Sequence, residues 1–183
     1  MRGSRSLVDR MIRAARLDVD LYEEVEADTT ALPQALVVVV IAGLSIGLGS
    51  AFFILWEHSA MTFLQALLWG ILMGIVGWFI WSLLVYHIGT RFFRGPETES
   101  DYFEVLRTVG FSASPGALGI LGFIPSIGWL IRLVIWVWML AAMVIAVRQA
   151  LDFTTGRAIA TCIAGFVVWI ILFWVIGAVL GIV

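Results

Sequence analysis

Beyond residue 33 the chain alternates long apolar runs with short polar interruptions, whereas before it charged residues recur every few positions. Stretches free of Asp, Glu, Lys and Arg cover residues 29–56, 58–90, 108–131 and 158–183. Each exceeds the ~20 apolar residues with which an α-helix crosses a ~30 Å hydrocarbon layer. Helices in water-soluble cores are seldom so long four times in one chain. The interruptions predict five spans, at about 34–56, 61–87, 102–123, 129–150 and 158–183. Pro33 precedes the first, a charged loop with Gly95-Pro96 separates the second and third, and Pro125-Ser126-Ile127-Gly128 makes a tight turn before the fourth. Pro115-Gly116 interrupts the third, since proline removes a backbone donor and clashes with the preceding turn. The expected fold class is therefore all-α: a polytopic membrane helical bundle, residues 32–183, preceded by an amphipathic cytoplasmic helix within residues 1–31.

In that first segment Val8, Met11, Ile12, Ala15, Val19 and Tyr22 recur at helical spacing and would share one face. Arg2, Arg5, Arg10, Arg13 and Arg16 fill its first half; Asp18, Asp20, Glu23, Glu24, Glu26 and Asp28 fill the second. A basic amphipathic half beside a membrane suggests docking on anionic headgroups, each Arg contributing about 1 kcal/mol. The alternative is a helix packed on the protein's own loops. The acidic half speaks against the whole segment lying flat on lipid.

Composition agrees with the pattern. Of 183 residues 62% are hydrophobic and 13% charged, against roughly 45–50% and about 25% in soluble domains, and mean hydropathy is +1.05. All eleven basic residues are Arg, so a phosphate-loop lysine is excluded. Cys162 is the only cysteine, which rules out a disulfide framework and a Cys-rich metal site. The charged beginning leaves no cleavable leader, and the first span is expected to act as an uncleaved signal. Arginine placement then gives orientation. Ten arginines (the N-terminal five, Arg91, Arg94, Arg107, Arg148 and Arg157) fall on one side of a five-span bundle and Arg132 alone near the other. By the positive-inside rule the N-terminus is cytoplasmic and the C-terminus extracytoplasmic. Trp56 and Trp129 at the outer ends, with Tyr86 and Tyr102 at the inner ends, suit the interfacial aromatic belts.

Candidate chemistry is sparse. Gly43-Leu44-Ser45-Ile46-Gly47 spells a nucleophile elbow, but that motif needs a strand-to-helix turn and a base within reach. Here it lies mid-span, and the only histidines, His58 and His87, sit near opposite faces. The pairs Gly43/Gly47, Gly70/Gly74 and Gly177/Gly181 are G-x-x-x-G spacings, which let helices approach closely inside a bundle or between copies. Ser112, Ser114, Pro115 and Gly116 mark a broken helix, a feature that in transporters supplies ion and substrate sites; a kink satisfied by neighbouring groups is the other reading. Arg132 is placed to snorkel or to pair with Glu57. Glu57 and His58 are too few for a metal, and Glu97, Glu99, Asp101 and Glu104 read as a solvated loop with Ser100 or Asp101 capping the next helix. No catalytic residue, cofactor or metal ligand is expected.

Two stretches resemble a known family. His87-Ile-Gly-Thr-Arg-Phe-Phe, an acidic loop, and then Glu104-Val-Leu-Arg-Thr-Val-Gly-Phe-Ser-Ala-Ser-Pro-Gly116 resemble the central signature of prokaryotic Yip-domain proteins (Yip for Ypt-interacting protein). Ala15-Arg-Leu-Asp-Val-Asp-Leu-Tyr-Glu-Glu-Val-Glu-Ala-Asp28 looks like the N-terminal segment of one bacterial branch. The resemblance implies a five-span, non-enzymatic membrane protein. Eukaryotic members bind Rab-type GTPases in the Golgi and endoplasmic reticulum, but the Arg-only basic composition suits a GC-rich bacterial genome, where such partners are absent. The expectation is a multi-pass protein of the bacterial cytoplasmic membrane, acting as scaffold, assembly factor or accessory subunit. It would contact lipids and an unidentified membrane or cytoplasmic protein, or form a homo-oligomer, through Arg10, Arg13, Arg16, Arg91 and Arg94, with no nucleic-acid partner. The alternative is a small transporter, channel or lipid-handling protein using the Pro115 break, which requires a hydrated cavity beside Ser112 and Ser114.

Overall fold

The computed structural model describes residues 6–55, 60–95 and 100–179. Within them the chain is helical apart from short turns, with no strand. Two short helices, α1 (Leu7–Ala15) and α2 (Val19–Ala27), precede a 3-10 turn (Thr29–Ala31) and then α3 (Leu32–Leu55) and α4 (Ala60–Phe92). Next come α5 (Tyr102–Ser112), a 3-10 segment (Ser114–Phe123), α6 (Gly128–Ala150) and α7 (Thr155–Val179). Among the described residues α3, α4, α6 and α7 are long and apolar enough to cross a membrane. Their boundaries fall close to the expected spans, with α4 running on past His87 to Phe92.

The N-terminal segment is not one amphipathic helix. It breaks at Arg16-Leu17-Asp18, where Leu17 takes a positive φ of 62° and Asp18 starts α2 by accepting from the Asp20 amide at 3.1 Å. An aspartate side chain competes well for the free amides of a helix start, so α2 begins there and folds back on α1. Val19 and Tyr22 therefore belong to a second helix, and the single apolar face read from residue 8 to 22 does not exist. Leu21, Tyr22 and Val25 of α2 are fully buried instead.

The segment expected as the third span also differs from expectation, and it is not among the helices long and apolar enough to cross a membrane. After the eleven residues of α5 the chain continues for ten as a 3-10 helix, although such runs rarely exceed three or four residues. Its glycines explain the exception. A 3-10 helix has three residues per turn, so Gly116, Gly119 and Gly122 fall on one edge. A Cβ on Gly119 would lie 2.5 Å from Ile46 Cγ1, and one on Gly116 would lie 2.9 Å from the Ala42 Cβ. From the α3 side, a Cβ on Gly49 would lie 2.2 Å from the Gly119 carbonyl oxygen. The side-chain-free edge thus lets the 3-10 backbone rest directly on α3. Dispersion contacts with α3 at Gly116 and Gly119, and with the Arg132 side chain of α6 at Gly122, offset the hydrogen-bond geometry that a 3-10 helix gives up.

Burial is concentrated where α1 and α2 meet the bundle. Val38 of α3, Val85 of α4, Leu106 and Phe111 of α5, and Val147 of α6 are closed off there with the α2 residues. Elsewhere α4, α6 and α7 leave Leu68, Trp69, Trp129, Val134, Ile171 and Trp174 exposed. A soluble monomer rarely exposes contiguous apolar surface of this extent; lipid is the solvent that removes the cost.

Candidate functional site

The polar chemistry gathers in the α1–α2 hairpin. Arg10, only 5% exposed, donates from Nε to Glu24 Oε1 (3.1 Å), from Nη1 to Gln34 Oε1 (2.9 Å) and from Nη2 to Asp28 Oδ2 (2.7 Å). Arg13 donates to Asp18 Oδ2 at 2.6 Å and to Glu24 Oε2 at 2.7 Å. Glu24 therefore bridges both arginines, and Gln34 ties the network to α3. Burial alone would push the Asp18 carboxyl up, but the hydrogen bond and charge of Arg13 outweigh it and hold the group below its ordinary value. The Thr30 hydroxyl, with help from Arg10 and against partial burial, holds Asp28 low as well. These charges satisfy one another, so Arg10 and Arg13 are turned toward α2 and the start of α3. Arg16 stays exposed.

Three further contacts dock the hairpin. Buried Arg107 of α5 donates from Nε to the Val25 carbonyl at 3.1 Å and from Nη2 to the Glu26 carbonyl, satisfying acceptors that the end of α2 leaves without intrahelical partners. Trp138 Nε1 donates to the Ala15 carbonyl at 2.7 Å, and Gln149 Nε2 to Glu23 Oε1 at 2.8 Å. Neither Arg107 nor Trp138 was singled out from the sequence as an anchor. A lone arginine at a predicted inner helix end was the only available signal. At the same junction burial first, then the carboxylates of Asp152, Glu104 and Glu23, push Glu26 up to about 7 against the pull of Arg107.

Seen from outside, the hairpin shows a different chemistry. Val8 and Ile12 are 63% and 47% exposed, one helical turn apart on the edge of α1 that faces away from its ion pairs. Arg91 in the last turn of α4, Arg94 just beyond it, and Arg157 in the first turn of α7 are also exposed. These ends are neighbours: a Cβ on Gly89 of α4 would meet Leu151 and Phe153, which lead into α7. Asp101 stands at the N-cap of α5, its amide donating to Glu104 Oε2 at 2.8 Å. Glu57, His58, Glu97 and Glu99 lie outside the described residues.

The structure brings two of the three glycine pairs together. A Cβ on Gly43 would lie 3.0 Å from the Gly70 carbonyl oxygen, and one on Gly70 would lie 3.0 Å from the Gly43 oxygen and 3.2 Å from the Gly47 Cα. Gly74 sits at ordinary contact distance from Gly43. Gly177 belongs to α7, and its partner Gly181 lies outside the described residues. Ser45 is within the unbroken helix α3 and not on a strand-to-helix turn. His87 places Nδ1 2.9 Å from the Leu83 carbonyl, and Arg132 donates to the Gly122 carbonyl at 3.4 Å.

At the helix break Ser112, Ser114, Pro115 and Gly116 are all buried. The Ser112 hydroxyl donates to the Val109 carbonyl and that of Ser114 to the Phe111 carbonyl, each at 2.7 Å. Both serines thus bond back to their own helix, a use that relieves the break and leaves no hydroxyl hydrogen for a ligand. A cavity of about 440 Å³ does lie beside Ser112, between α3, α4, α5 and α6, but its walls are almost wholly apolar. It lacks the polar lining that a hydrated substrate path needs.

No curated protein and no solved structure matches the chain. A family model, the Yip1 domain, matches residues 19–179, which takes in α2, the helix break and every long helix. The chain belongs to the Yip1 domain family of membrane proteins.

Proposed function

We propose that this protein is a non-catalytic scaffold of the bacterial cytoplasmic membrane that crosses the bilayer five times and docks a partner protein on its inner face. The observation that carries this reading is the division of its arginines. Arg10, Arg13 and Arg107 lock the N-terminal hairpin in place, while Arg16, Arg91, Arg94 and Arg157 stay exposed. A rigid platform with exposed cations suits recognition of an acidic partner surface, since complementary charge steers encounter and fixes register. The fifth crossing is α5 with its 3-10 continuation. At about 1.5 and 2.0 Å per residue the two pieces reach roughly 36 Å, enough for the hydrocarbon layer. The exposed arginines support a hairpin end on the cytoplasmic side by the positive-inside rule, with Val8 and Ile12 against the inner leaflet.

Photo-crosslinking in native membranes tests the reading. A photoreactive residue at Arg91 or Arg157 is expected to give a discrete protein adduct, and the Arg157 adduct should disappear in Arg91→Glu/Arg94→Glu. The same probe at Ser126, at the far end of the bundle, should give none. Adducts of equal yield at both ends, or none at Arg91 and Arg157, would defeat the proposal. A transporter reading finds no support in the geometry, because the serines at the break are spent on their own helix.

A further inference from the structure

The scaffold reading leaves the 440 Å³ cavity unused. Its wall includes Gly43, Met73, Gly77, Trp81, Ser112 and Met143. Three observations say what fills it. First, it is unsuited to water, which needs two to four polar partners. The Ser112 hydroxyl is already given to Val109, and the Trp81 indole donates to the Met143 sulfur at 3.3 Å. A thioether is a weak acceptor, and an indole N–H with water at hand would not settle for one. Second, the cavity opens sideways. Its flanks α4 and α6 come close at few backbone positions and touch through that Trp81–Met143 contact, while Met73 on the wall is half exposed. A Cβ on Gly77 would meet nothing within 4 Å. Third, the depth is right. Trp81 lies about 15 Å along α4 from Arg91, which is half the hydrocarbon thickness, and the wall extends outward from there to Gly70.

We infer that this cavity is a binding site for one acyl chain of a membrane phospholipid, which enters between α4 and α6 and lies across Gly77 with the Trp81–Met143 contact as its floor. A dry apolar cavity of ~150 Å³ already takes up benzene, and this one is about three times larger in the solvent made of such chains. Gly77, with open space at its Cβ position, gives the chain a smooth wall beside the α3–α4 contact that Gly70 and Gly74 make. The smaller cavity of about 210 Å³ beyond the floor, near Cys162 and Phe166, is a separate space. The inference rests on the membrane reading of the proposed function.

The test uses the full chain in nanodiscs of phosphatidylethanolamine doped with the same lipid carrying a diazirine in its acyl chain. Photolabel is expected on peptides containing Met139 and Met143, lining the cavity, and on those containing Ile171 and Trp174, on the exposed surface. Gly77→Leu directs a side chain into the open space and should lower the cavity label by about tenfold or more while the surface label stays. Gly77→Ala should keep both. Should Gly77→Leu fail to fold, Gly77→Met offers the same bulk on a flexible chain. Cavity label that is absent from the wild type, or unchanged in the filled variants while surface label persists, would overturn the inference alone. Absence of label at every position would overturn the membrane reading with it.

Discussion

Trp138 donates its indole hydrogen to the Ala15 carbonyl at 2.7 Å, joining two residues 123 positions apart. The bond ends α1 against α6 at the point where the chain turns through Leu17. Trp138→Phe keeps the ring and removes the donor, so it should cost about 1 kcal/mol and raise hydrogen exchange in α1 ahead of α6. Arg10→Ala should cost more, about 2–4 kcal/mol, because it leaves Asp28 partly buried without its cation and takes one of two arginines from Glu24. Thermal unfolding in mild detergent measures both. Equal, negligible losses would show that the hairpin is not docked.

Acidity acts on the hairpin from both sides. The folded-state pKa values of Asp18 and Asp28 are lowered, so the stability they contribute is present above the ordinary value of 3.8 and is lost as pH falls below it. Glu26 runs the other way. Its pKa rises from 4.5 to about 7, so its favourable effect is complete below 4.5 and is lost as pH climbs through 7. Melting temperature should therefore fall between pH 5 and pH 8, and Glu26→Gln should flatten that fall. Glu26 is partly exposed and solvent screens it, so the gain at pH 8 is on the order of 1–2 kcal/mol. A steeper fall in the variant would contradict this assignment.

Glycines that look alike in the sequence should respond differently to alanine. Gly49→Ala would place a Cβ 2.2 Å from a backbone oxygen of the 3-10 segment, which cannot move aside as a side chain can. The expected loss is about 3 kcal/mol or more. Gly156 in the first turn of α7 has open space around it, so Gly156→Ala should gain roughly 0.5–1 kcal/mol from helix propensity and a less flexible unfolded chain. Similar effects at the two sites would mean that α3 and the 3-10 segment are not in contact.

Ser82 of α4 and Thr161 of α7 are fully buried, and their hydroxyls have no hydrogen-bond partner among the described residues. An unpaired buried hydroxyl costs about 1–3 kcal/mol in desolvation. Ser82→Ala and Thr161→Val should thus be neutral or stabilising, by up to about 1 kcal/mol. A clear loss of stability in either would reveal a bound partner for that hydroxyl.

The long helices were legible because lipid leaves the backbone no other way to satisfy itself, so apolar run lengths translate almost directly into α3, α4, α6 and α7. Proline and aspartate at the turns marked their ends. The break at Leu17 was not legible, since no glycine or proline marks it and a leucine seldom takes a positive φ. The inward turn of Arg10 was equally hidden, because its partners Asp28 and Gln34 lie 18 and 24 positions away. At the helix break Pro115 announced the interruption, and the threefold spacing of Gly116, Gly119 and Gly122 was in plain view. Its meaning as a 3-10 edge depends on Gly49 across the contact, which periodicity within one segment does not reveal.

The number of crossings governs which residues can meet a partner, and cysteine accessibility measures it. In a Cys162→Ala background, single cysteines replace Ser6, Arg91, Arg157 and Ser126, and a membrane-impermeant maleimide is applied to sealed vesicles of each orientation. Ser6→Cys, Arg91→Cys and Arg157→Cys should react from the cytoplasmic side, and Ser126→Cys only from the other. Reaction of Ser126→Cys from the same side as Arg91→Cys would mean that α5 and its 3-10 continuation turn back without crossing, and the five-span account would be wrong.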